Sequence, residues 1–326
     1  MLGRIDPERF AGGTITLDPA LGQAAIDGHV GTPLELDTAL AAFGISEVVE
    51  ENMANAARVH AVERGAELEG RTLIAFGGGA PLHAARLAEK LGISEVLIPA
   101  SAGVGSAVGF LRAPIAFEVV RSRFVRLAAF DPASVNAMFA EMEKEATGVV
   151  RLGAPPPAPV TVARSADMRY AGQGHEILVD LPDGPFTPES VAELRRRFEA
   201  GYRLLFNRVV PGVDVEVTGW ILRAEAPAPR RAADLAAAAP ADAPPPRAVG
   251  QRRLFDPLER DFVTVPVYRR ADLGPGSAVA GPAVIAEDET TTIVTSRFAV
   301  SVDPSGALRL VARSASPSAA VQEAAQ

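Results

Sequence analysis

The sequence predicts a mixed α/β and α+β fold, and three observations support this. A short apolar run, 73–76, is followed by three glycines, a helical pattern and a second apolar run, 96–98. Alternating apolar residues predict further strands in 177–181 and 213–217. The stretch 262–310 is rich in β-branched residues and turns, which is typical of strands.

The elements are then predicted from local patterns. Residues 36–64 have helical apolar spacing, with Gly44 as a break between two helical segments and Gly65 at the C-cap position. Pro81 stands at the first position of a helix that Gly92 ends. Together with the two flanking apolar runs, this helix is expected to form a parallel, right-handed strand–turn–helix–strand unit.

Composition divides the chain into regions. We expect 1–127 to be an α/β domain and 128–226 a smaller α+β domain. Residues 227–250 are mostly Ala and Pro, which cannot bury a core, so we predict a linker or an exposed loop there. Residues 251–312 are predicted to be a β-rich C-terminal part, and 313–326 a disordered tail.

Length, charge and cysteine content exclude several classes of protein. The 326 residues suffice for two or three domains, and the net charge of −8 argues against a nucleic-acid or membrane partner. No apolar run approaches the ~20 residues of a membrane helix, and the first residues lack the apolar core of a signal peptide. Without cysteine, disulfides and thiolate metal sites are excluded. We therefore expect a cytoplasmic protein.

The strongest local motif is Phe76-Gly-Gly-Gly-Ala-Pro-Leu-His83. Glycines leave room for a flat or anionic ligand against the backbone, and the following helix directs its positive end at the same space. A nucleotide would fit. A tight strand-to-helix connection that needs glycine only for its dihedral angles explains the residues equally well. The candidate cofactor-binding residues here are Gly77, Gly78, Gly79, Pro81 and His83.

Asn52 and Asn55 form a second candidate site. They lie three residues apart, so they share one face of a helix with Glu51 and Arg58 nearby. Asparagine is unfavourable inside a helix unless its amide has a partner, which makes both residues candidates for cofactor binding. A solvated polar helix face is the simpler explanation.

A third polar cluster lies between Asp167 and Glu176. The candidates there for contact with a substrate or an interface are Asp167, Arg169, Tyr170, Gln173 and His175. His175 could act as a general base, but Glu176 is its neighbour in sequence, so on a strand the two face opposite sides and cannot form a dyad. A glycine-bulged hairpin with polar residues facing solvent is the simpler explanation.

Other chemistries lack their signatures. The four histidines fit no metal-ligand spacing such as H-E-x-x-H, so we predict no metal site built by the chain, and a divalent cation would arrive with a nucleotide. The sequence has neither a G-x-S-x-G nucleophile elbow nor a GK[ST] phosphate loop. Catalytic residues are therefore not identified from the sequence.

Six segments together resemble the hydantoinase A / 5-oxoprolinase family. They follow the family's order over almost the whole chain: Glu51–Arg58, Phe76–His83, Pro99–Ser106, Met168–Glu176, Pro266–Tyr268 and Gly281–Ile285. Members of this family include N-methylhydantoinase subunits, 5-oxoprolinases and related subunits of acetone and acetophenone carboxylases.

The resemblance implies an enzyme that uses ATP with Mg²⁺ to phosphorylate the carbonyl oxygen of a cyclic amide, such as hydantoin or 5-oxoproline, and then opens the ring. It also implies that 1–127 is similar to the second lobe of the actin/sugar-kinase/Hsp70 ATPase fold, where Gly77 and Gly78 would contact the adenosine. A hydantoinase B-like subunit is the implied partner. A subunit of an acetone/acetophenone-type carboxylase, or a non-catalytic assembly subunit, is the alternative.

The chain departs from the family in two respects. The family commonly has Gly-Gly-Ala-Gly-Pro where this chain has Gly78-Gly-Ala-Pro81 after Gly77, which should alter the dihedral angles of the turn more than its chemistry. The family's N-terminal half, with its phosphate loops, has no counterpart here. We therefore expect a gene fragment or a split subunit that cannot hydrolyse ATP alone. We also expect an exposed apolar patch above about 600 Å² on 1–127.

Overall fold

The fold is that of a computed structural model, which describes residues 1–227 and 245–313. Within these residues the chain forms two compact units, the first from 1–109 with 245–313 and the second from 110–227. Both units contain helices and strands, so the predicted mixed α/β character is confirmed. No helix in these two ranges is long and apolar enough to cross a bilayer.

Helices and strands are numbered in chain order. The helices are α1 (Pro19–Ile26), α2 (Thr32–Leu34), α3 (Thr38–Glu63), α4 (Ala80–Leu91), α5 (Gly105–Arg112), α6 (Pro132–Gly153) and α7 (Ser190–Phe206). The strands are β1 (Thr72–Ile74), β2 (Glu95–Ile98), β3 (Ile115–Arg126), β4 (Thr161–Tyr170), β5 (Ile177–Asp180), β6 (Val215–Ala226), β7 (Gly250–Asp256), β8 (Asp261–Arg269), β9 (Ala278–Ala280), β10 (Ala283–Ala286), β11 (Thr291–Val294), β12 (Phe298–Val302) and β13 (Leu308–Ala312).

The first unit contains two sheets, with strand orders β1-β2-β13-β12-β9 and β11-β10-β8-β7. Strands β1 and β2 are parallel, with α4 between them in sequence, as the apolar runs and glycines predict. The C-terminal strand β13 pairs antiparallel with β2, so 251–312 shares a sheet with the N-terminal region instead of standing apart. This pairing covers the edge of a two-stranded ribbon that would be marginal alone.

Helix α3 runs without interruption for 26 residues, so the predicted break at Gly44 is wrong. Its buried residues include Ala42, Ser46, Glu50 and Ala54, which are spaced four apart and form one stripe. Packing along this stripe outweighs the modest cost of one glycine inside a helix. Gly65, just past the helix end, has the positive φ (+60°) expected at a C-cap.

The second unit is an antiparallel sheet, β3-β6-β4-β5, with α6 and α7 packed on one face. Trp220, Phe139, Phe198 and Tyr170 are buried between the sheet and the helices. The unit begins before the expected boundary at 127 because β3 pairs with β6 from Ile115 opposite Ala226 to Arg126 opposite Glu216, with one irregularity between Ser122 and Val125.

Two predicted segments lie wholly or partly outside the described residues. The expected linker 227–250 is described only at residue 227 and from 245 onwards, where β7 begins at Gly250. The expected tail 313–326 is described only at residue 313.

Candidate functional site

The glycine turn, residues 77–79, connects β1 to α4 in the first unit. The Gly77 amide donates to the carbonyl oxygen of Ala102 (2.7 Å), and the Gly78 carbonyl oxygen accepts from Oγ1 of Thr290 (2.8 Å). Gly77 has φ +100°, which side-chain-bearing residues rarely adopt. The turn is therefore fixed at its first two residues and needs glycine at the first of them.

The outer side of the turn is open. A Cβ added at Gly77 or Gly79 would meet no atom within 4 Å, and one added at Gly78 would lie 3.4 Å from the Glu289 carbonyl oxygen. Gly78 lines a cleft of about 1090 Å³. The other walls come from the first unit as well, chiefly from 5–12, 249–252, 267–271 and 286–291. The space has the size of a site for a nucleoside or a larger ligand.

Helix α4 begins directly after the turn, with Gly79 as its N-cap and no side chain capping its first amides. Its N-terminus therefore remains available to a polar or anionic group. Pro81 is buried in the first turn, so it serves the geometry of the helix and presents no surface to a ligand. Its predicted role in cofactor binding is indirect at most.

His83, in the first turn of α4, joins a buried polar network that the sequence motifs do not reveal. Its Nδ1 lies 2.9 Å from Oε1 of Glu50, a side chain with no exposed surface. Ser46 and Arg4 also donate to this oxygen, from 3.2 Å and 3.0 Å. Oε2 of Glu50 is buried and has no partner among the described residues. A charged residue on the small-residue stripe of α3 was the signal that could have identified it.

Asn52 and Asn55 lie on the exposed side of α3, and neither lines the cleft. Oδ1 of Asn55 accepts a hydrogen bond from Arg58 (2.8 Å), which also bonds to Glu51 (3.0 Å) and to the Lys90 carbonyl oxygen (2.7 Å). The structure therefore does not bring the two asparagines to the glycine turn. Asn55 serves the contact between α3 and α4.

A chain of ion pairs joins α3 to α4. Glu47 accepts from Arg86 at 2.9 Å and 3.0 Å and from Lys90 at 2.9 Å, and Lys90 also reaches Glu51 at 3.0 Å. The hydrogen bonds from Arg86 lower the pKa of Glu47 from 4.5 to about 2. These contacts hold in place the helix that the glycine turn begins.

Three residues of the cleft wall carry buried polar atoms without a partner among the described residues. The atoms are Nη1 of Arg252, Nη1 of Arg270 and Oε1 of Glu287. Burial raises the pKa of Glu287 and lowers that of Arg270. None of the three could be identified from the sequence, because only the pairing of distant strands brings them to one cleft.

In the second unit, Asp167 and Arg169 lie on the sheet face away from the core. Arg169 donates to the buried Glu216 (3.3 Å) and to Glu176 (3.2 Å). Burial, followed by the nearby charge of Glu176, raises the pKa of Asp167. These residues form a charged cluster on the sheet, as expected of side chains two apart on one strand.

Tyr170 lies in the core, so its predicted contact with a substrate or interface is wrong. Its ring packs at 4.8 Å from that of Phe198, and its hydroxyl accepts from the Val210 amide (3.1 Å). Gln173 donates to the hydroxyl of Tyr202 (3.0 Å), which gives it a structural partner. His175 is exposed, with its ring edge-on to Phe206.

The described residues contain no group of three His, Cys, Asp or Glu side chains able to hold a metal ion. The part of the site with room for a ligand is the glycine turn, where Gly78 lines the cleft. Gly78 adds no Cβ to the cleft wall, and Arg252 and Arg270, each with one donor unpartnered among the described residues, line the same cleft.

Known protein families include relatives of this chain. Two family models match, hydantoinase/oxoprolinase at residues 1–119 and the hydantoinase/oxoprolinase C-terminal domain at 128–312. The caprolactamase subunit alpha of Pseudomonas jessenii is 30% identical over 317 residues, covering 95% of this chain and 45% of that protein.

Two solved structures have the same fold. A nucleotide-free acetone carboxylase, described in connection with ATP-dependent acetone carboxylation, aligns with a TM-score of 0.77 and 25% identity over 96% of this chain and 45% of its own. The ATP-dependent caprolactamase from Pseudomonas jessenii aligns with a TM-score of 0.68 and 28% identity. The alignment covers 96% of this chain and 46% of the caprolactamase chain. The chain thus spans a little under half the length of these relatives. On the strength of the two family models, the chain belongs to the hydantoinase/oxoprolinase family.

Proposed function

We propose that this chain is the nucleotide-binding part of an ATP-dependent enzyme that opens a cyclic amide such as hydantoin or 5-oxoproline. The observation that carries this proposal is the glycine turn, in which Gly78 lines a cleft of about 1090 Å³. We assign Gly77, Gly78 and Gly79 to the nucleoside, with the N-terminal residues of the first unit forming the second lobe of an actin-like ATPase domain.

ATP supplies a phosphoryl group for the amide oxygen; one water then adds to the carbon, the ring C–N bond breaks and the nitrogen leaves as the amine, and a second water releases the phosphate from the resulting acyl phosphate. The balance is ATP, lactam and two waters to ADP, phosphate and the ring-opened amino acid. Activation is needed because an amide without it is a poor electrophile. The chain's own contribution is to bind and orient the nucleoside, while Mg²⁺ is proposed to enter with the phosphates.

The relatives support both the ATP dependence and a partner. The solved caprolactamase is described as ATP-dependent. The caprolactamase that is similar to this chain in sequence is named as a subunit, subunit alpha. We propose that this chain likewise works with a partner subunit of the hydantoinase B type, and that it does so in the cytoplasm.

Carboxylation is a second candidate, favoured by one observation. The structural similarity to the acetone carboxylase (TM-score 0.77) exceeds that to the caprolactamase (0.68), although the sequence identity to the latter is higher. The nucleotide site would be the same in both cases, since either reaction begins with ATP.

Titration of the 326-residue chain with a fluorescent ADP analogue tests the nucleotide site. Gly78→Val adds a branched side chain at the cleft wall, with its Cβ 3.4 Å from the Glu289 carbonyl oxygen, and we expect it to weaken binding at least tenfold. Gly148→Val is the matched control, since Gly148 is an exposed helical position in the second unit where an added Cβ meets nothing within 4 Å. No saturable binding by the unmodified chain, or equal affinities for both variants, would refute the proposal.

A further inference from the structure

Helix α3 carries an exposed stripe on the side opposite its buried one. We call the six positions that form it the α3 seam: Ile45, Val48, Asn52, Asn55, Val59 and Val62. All six side chains are exposed, Val62 by 78%. They follow one another at intervals of three and four residues, which is the heptad spacing of side chains that meet between two helices of a coiled coil. A helix that packs on one side normally exposes polar residues on the other, so the seam indicates a surface for a second helix.

The seam has the same pattern in both chain directions: two apolar residues, two asparagines and two apolar residues. Two antiparallel copies of α3 therefore match at every level. The residues that lie opposite each other are Asn52 and Asn55, Val48 and Val59, and Ile45 and Val62, and each pair occurs twice. Such self-complementarity fits a two-fold contact between identical chains, in which residue i contacts residue j and j contacts i.

The two asparagines have the free hydrogen-bonding groups that this contact needs. The side-chain amide of Asn52 has no partner among the described residues. In Asn55, Oδ1 accepts from Arg58 (2.8 Å), while Nδ2 has no partner in the same part of the chain. Between antiparallel copies, Nδ2 of Asn55 can donate to Oδ1 of Asn52 in the second copy. Asparagine in such a seam lowers stability but fixes the register, because a shifted register buries an amide against valine.

The charges beside the seam favour the antiparallel direction. Glu51 and Arg58 flank the seam, lie 3.0 Å apart as an ion pair, and are 45% and 41% exposed. Between antiparallel copies, Glu51 comes next to Arg58 of the second copy and Arg58 next to Glu51, so opposite charges meet on the flank of the contact. In a parallel arrangement, Glu51 would face Ala56 instead. The helix dipoles also oppose each other favourably only when the copies are antiparallel.

We propose that two copies of this chain form a two-fold symmetric dimer through antiparallel packing of their α3 seams. The seam spans about 25 Å of helix, at 1.5 Å per residue. A contact of this length with polar residues at its centre predicts a reversible dimer whose population depends on protein concentration. The dimer involves the first unit alone and does not depend on the nucleotide site.

Sedimentation velocity of the full chain over a concentration series tests the dimer. We expect the mass to rise from 34.0 kDa to twice this value with increasing concentration. Val59→Glu places a charge opposite Val48 of the second copy, so it should raise the dissociation constant at least tenfold. His60→Glu is the matched control, because it adds the same charge at the next, exposed position of the same turn but points away from the seam, and it should change the constant less than twofold.

A chain that remains at 34.0 kDa up to its solubility limit would overturn the proposal and leave the seam to a different polypeptide. Equal dissociation constants for the Val59→Glu and His60→Glu variants would also overturn it, because the dimer would then form through another surface. Val59 is 56% exposed in the single chain, so its substitution tests the contact without disturbing the core.

Disulfide cross-linking tests the direction, and the sequence contains no cysteine of its own. Under mild oxidation, the double variant Val48→Cys, Val59→Cys should give a covalent dimer. Within one helix these positions lie about 16 Å apart, which is beyond the reach of a disulfide, so the link forms between copies. Val48→Cys alone should stay unlinked, since antiparallel copies keep its two thiols equally far apart. Cross-linking of the single variant, or none of the double variant, would contradict the antiparallel arrangement.

Discussion

Nδ1 of His83 and Oε1 of Glu50 lie 2.9 Å apart, and Glu50 has no exposed surface. Two further donors, on Ser46 and Arg4, converge on the same oxygen. The network therefore ties the N-terminal segment and α3 to the first turn of α4, next to the glycine turn. A carboxylate so deeply buried is tolerated only with such partners.

Removing the Glu50 carboxylate should destabilise the first unit. Glu50→Ala leaves the guanidinium of Arg4, whose side chain is 13% exposed, without its buried counter-charge. Loss of one partner of a buried pair costs about 3–5 kcal/mol, so we expect the urea midpoint followed by circular dichroism to fall accordingly.

Glu51→Ala is the matched control for this change. Glu51 is the next residue along and also forms ion pairs, but its side chain is 45% exposed, so solvent screens them. We expect a much smaller shift of the midpoint. Equal shifts for the two variants would mean that Glu50 contributes no more than a surface carboxylate.

The fold could be predicted where its signals are local. The β1–α4–β2 unit follows from two apolar runs, three glycines and Gly92, all within 27 residues of one another. The pairing of β13 with β2 could not be predicted, because the paired residues Leu310 and Val96 are far apart in sequence and nothing in either strand specifies the other as its partner.

The candidate site divides in the same way. The glycine turn was predictable because its three glycines and Pro81 are close together in sequence, directly after an apolar run. Arg270 and Glu287 meet only through the pairing of β8 with β10, and so escaped notice. Tyr170 was misassigned because its polar neighbours obscured the strand alternation that directs its ring into the core.

Gly44→Ala should stabilise the chain. Gly44 lies inside the continuous helix α3, and an added Cβ would meet no atom within 4 Å. Because glycine loses more backbone entropy on folding than alanine, we expect a gain of about 0.5–1 kcal/mol in the free energy of unfolding, measured by urea denaturation.

Gly65→Ala, the same change two residues beyond that helix, should do the opposite. Its φ of +60° is strained for a residue with a Cβ, so we expect a loss of about 1 kcal/mol. If Gly44→Ala and Gly65→Ala both lowered the free energy of unfolding, α3 would be interrupted at Gly44 in solution.

Stability should decrease in acid through Glu47. Hydrogen bonds from Arg86 lower its pKa in the folded state from 4.5 to about 2, so the unfolded chain takes up the proton first as the pH falls. The stabilisation is complete above about pH 4.5 and is lost towards about pH 2. Because Glu47 is partly exposed, solvent screening limits it to about 1 kcal/mol.

Glu47→Gln isolates this contribution. The variant should be less stable than the unmodified chain at pH 7, and the difference should shrink steadily below pH 4.5 in urea titrations at several pH values. Two curves that stay parallel over the whole range would show that Glu47 titrates alike in the folded and unfolded chain.

The core of the second unit should depend strongly on Phe139. Its ring is 1% exposed and lies edge-on to Trp220, with centroids 5.8 Å apart. Phe139→Ala removes this packing and leaves a cavity, for which we expect a loss of about 3–5 kcal/mol. Trp220 is the only tryptophan in the sequence, so its fluorescence reports the unfolding of this unit directly.

Leu152→Ala is the control on the same helix. Its side chain is 85% exposed, so this change should alter the free energy of unfolding by no more than about 0.5 kcal/mol. Similar midpoints for both variants would mean that α6 does not pack on the sheet through this face.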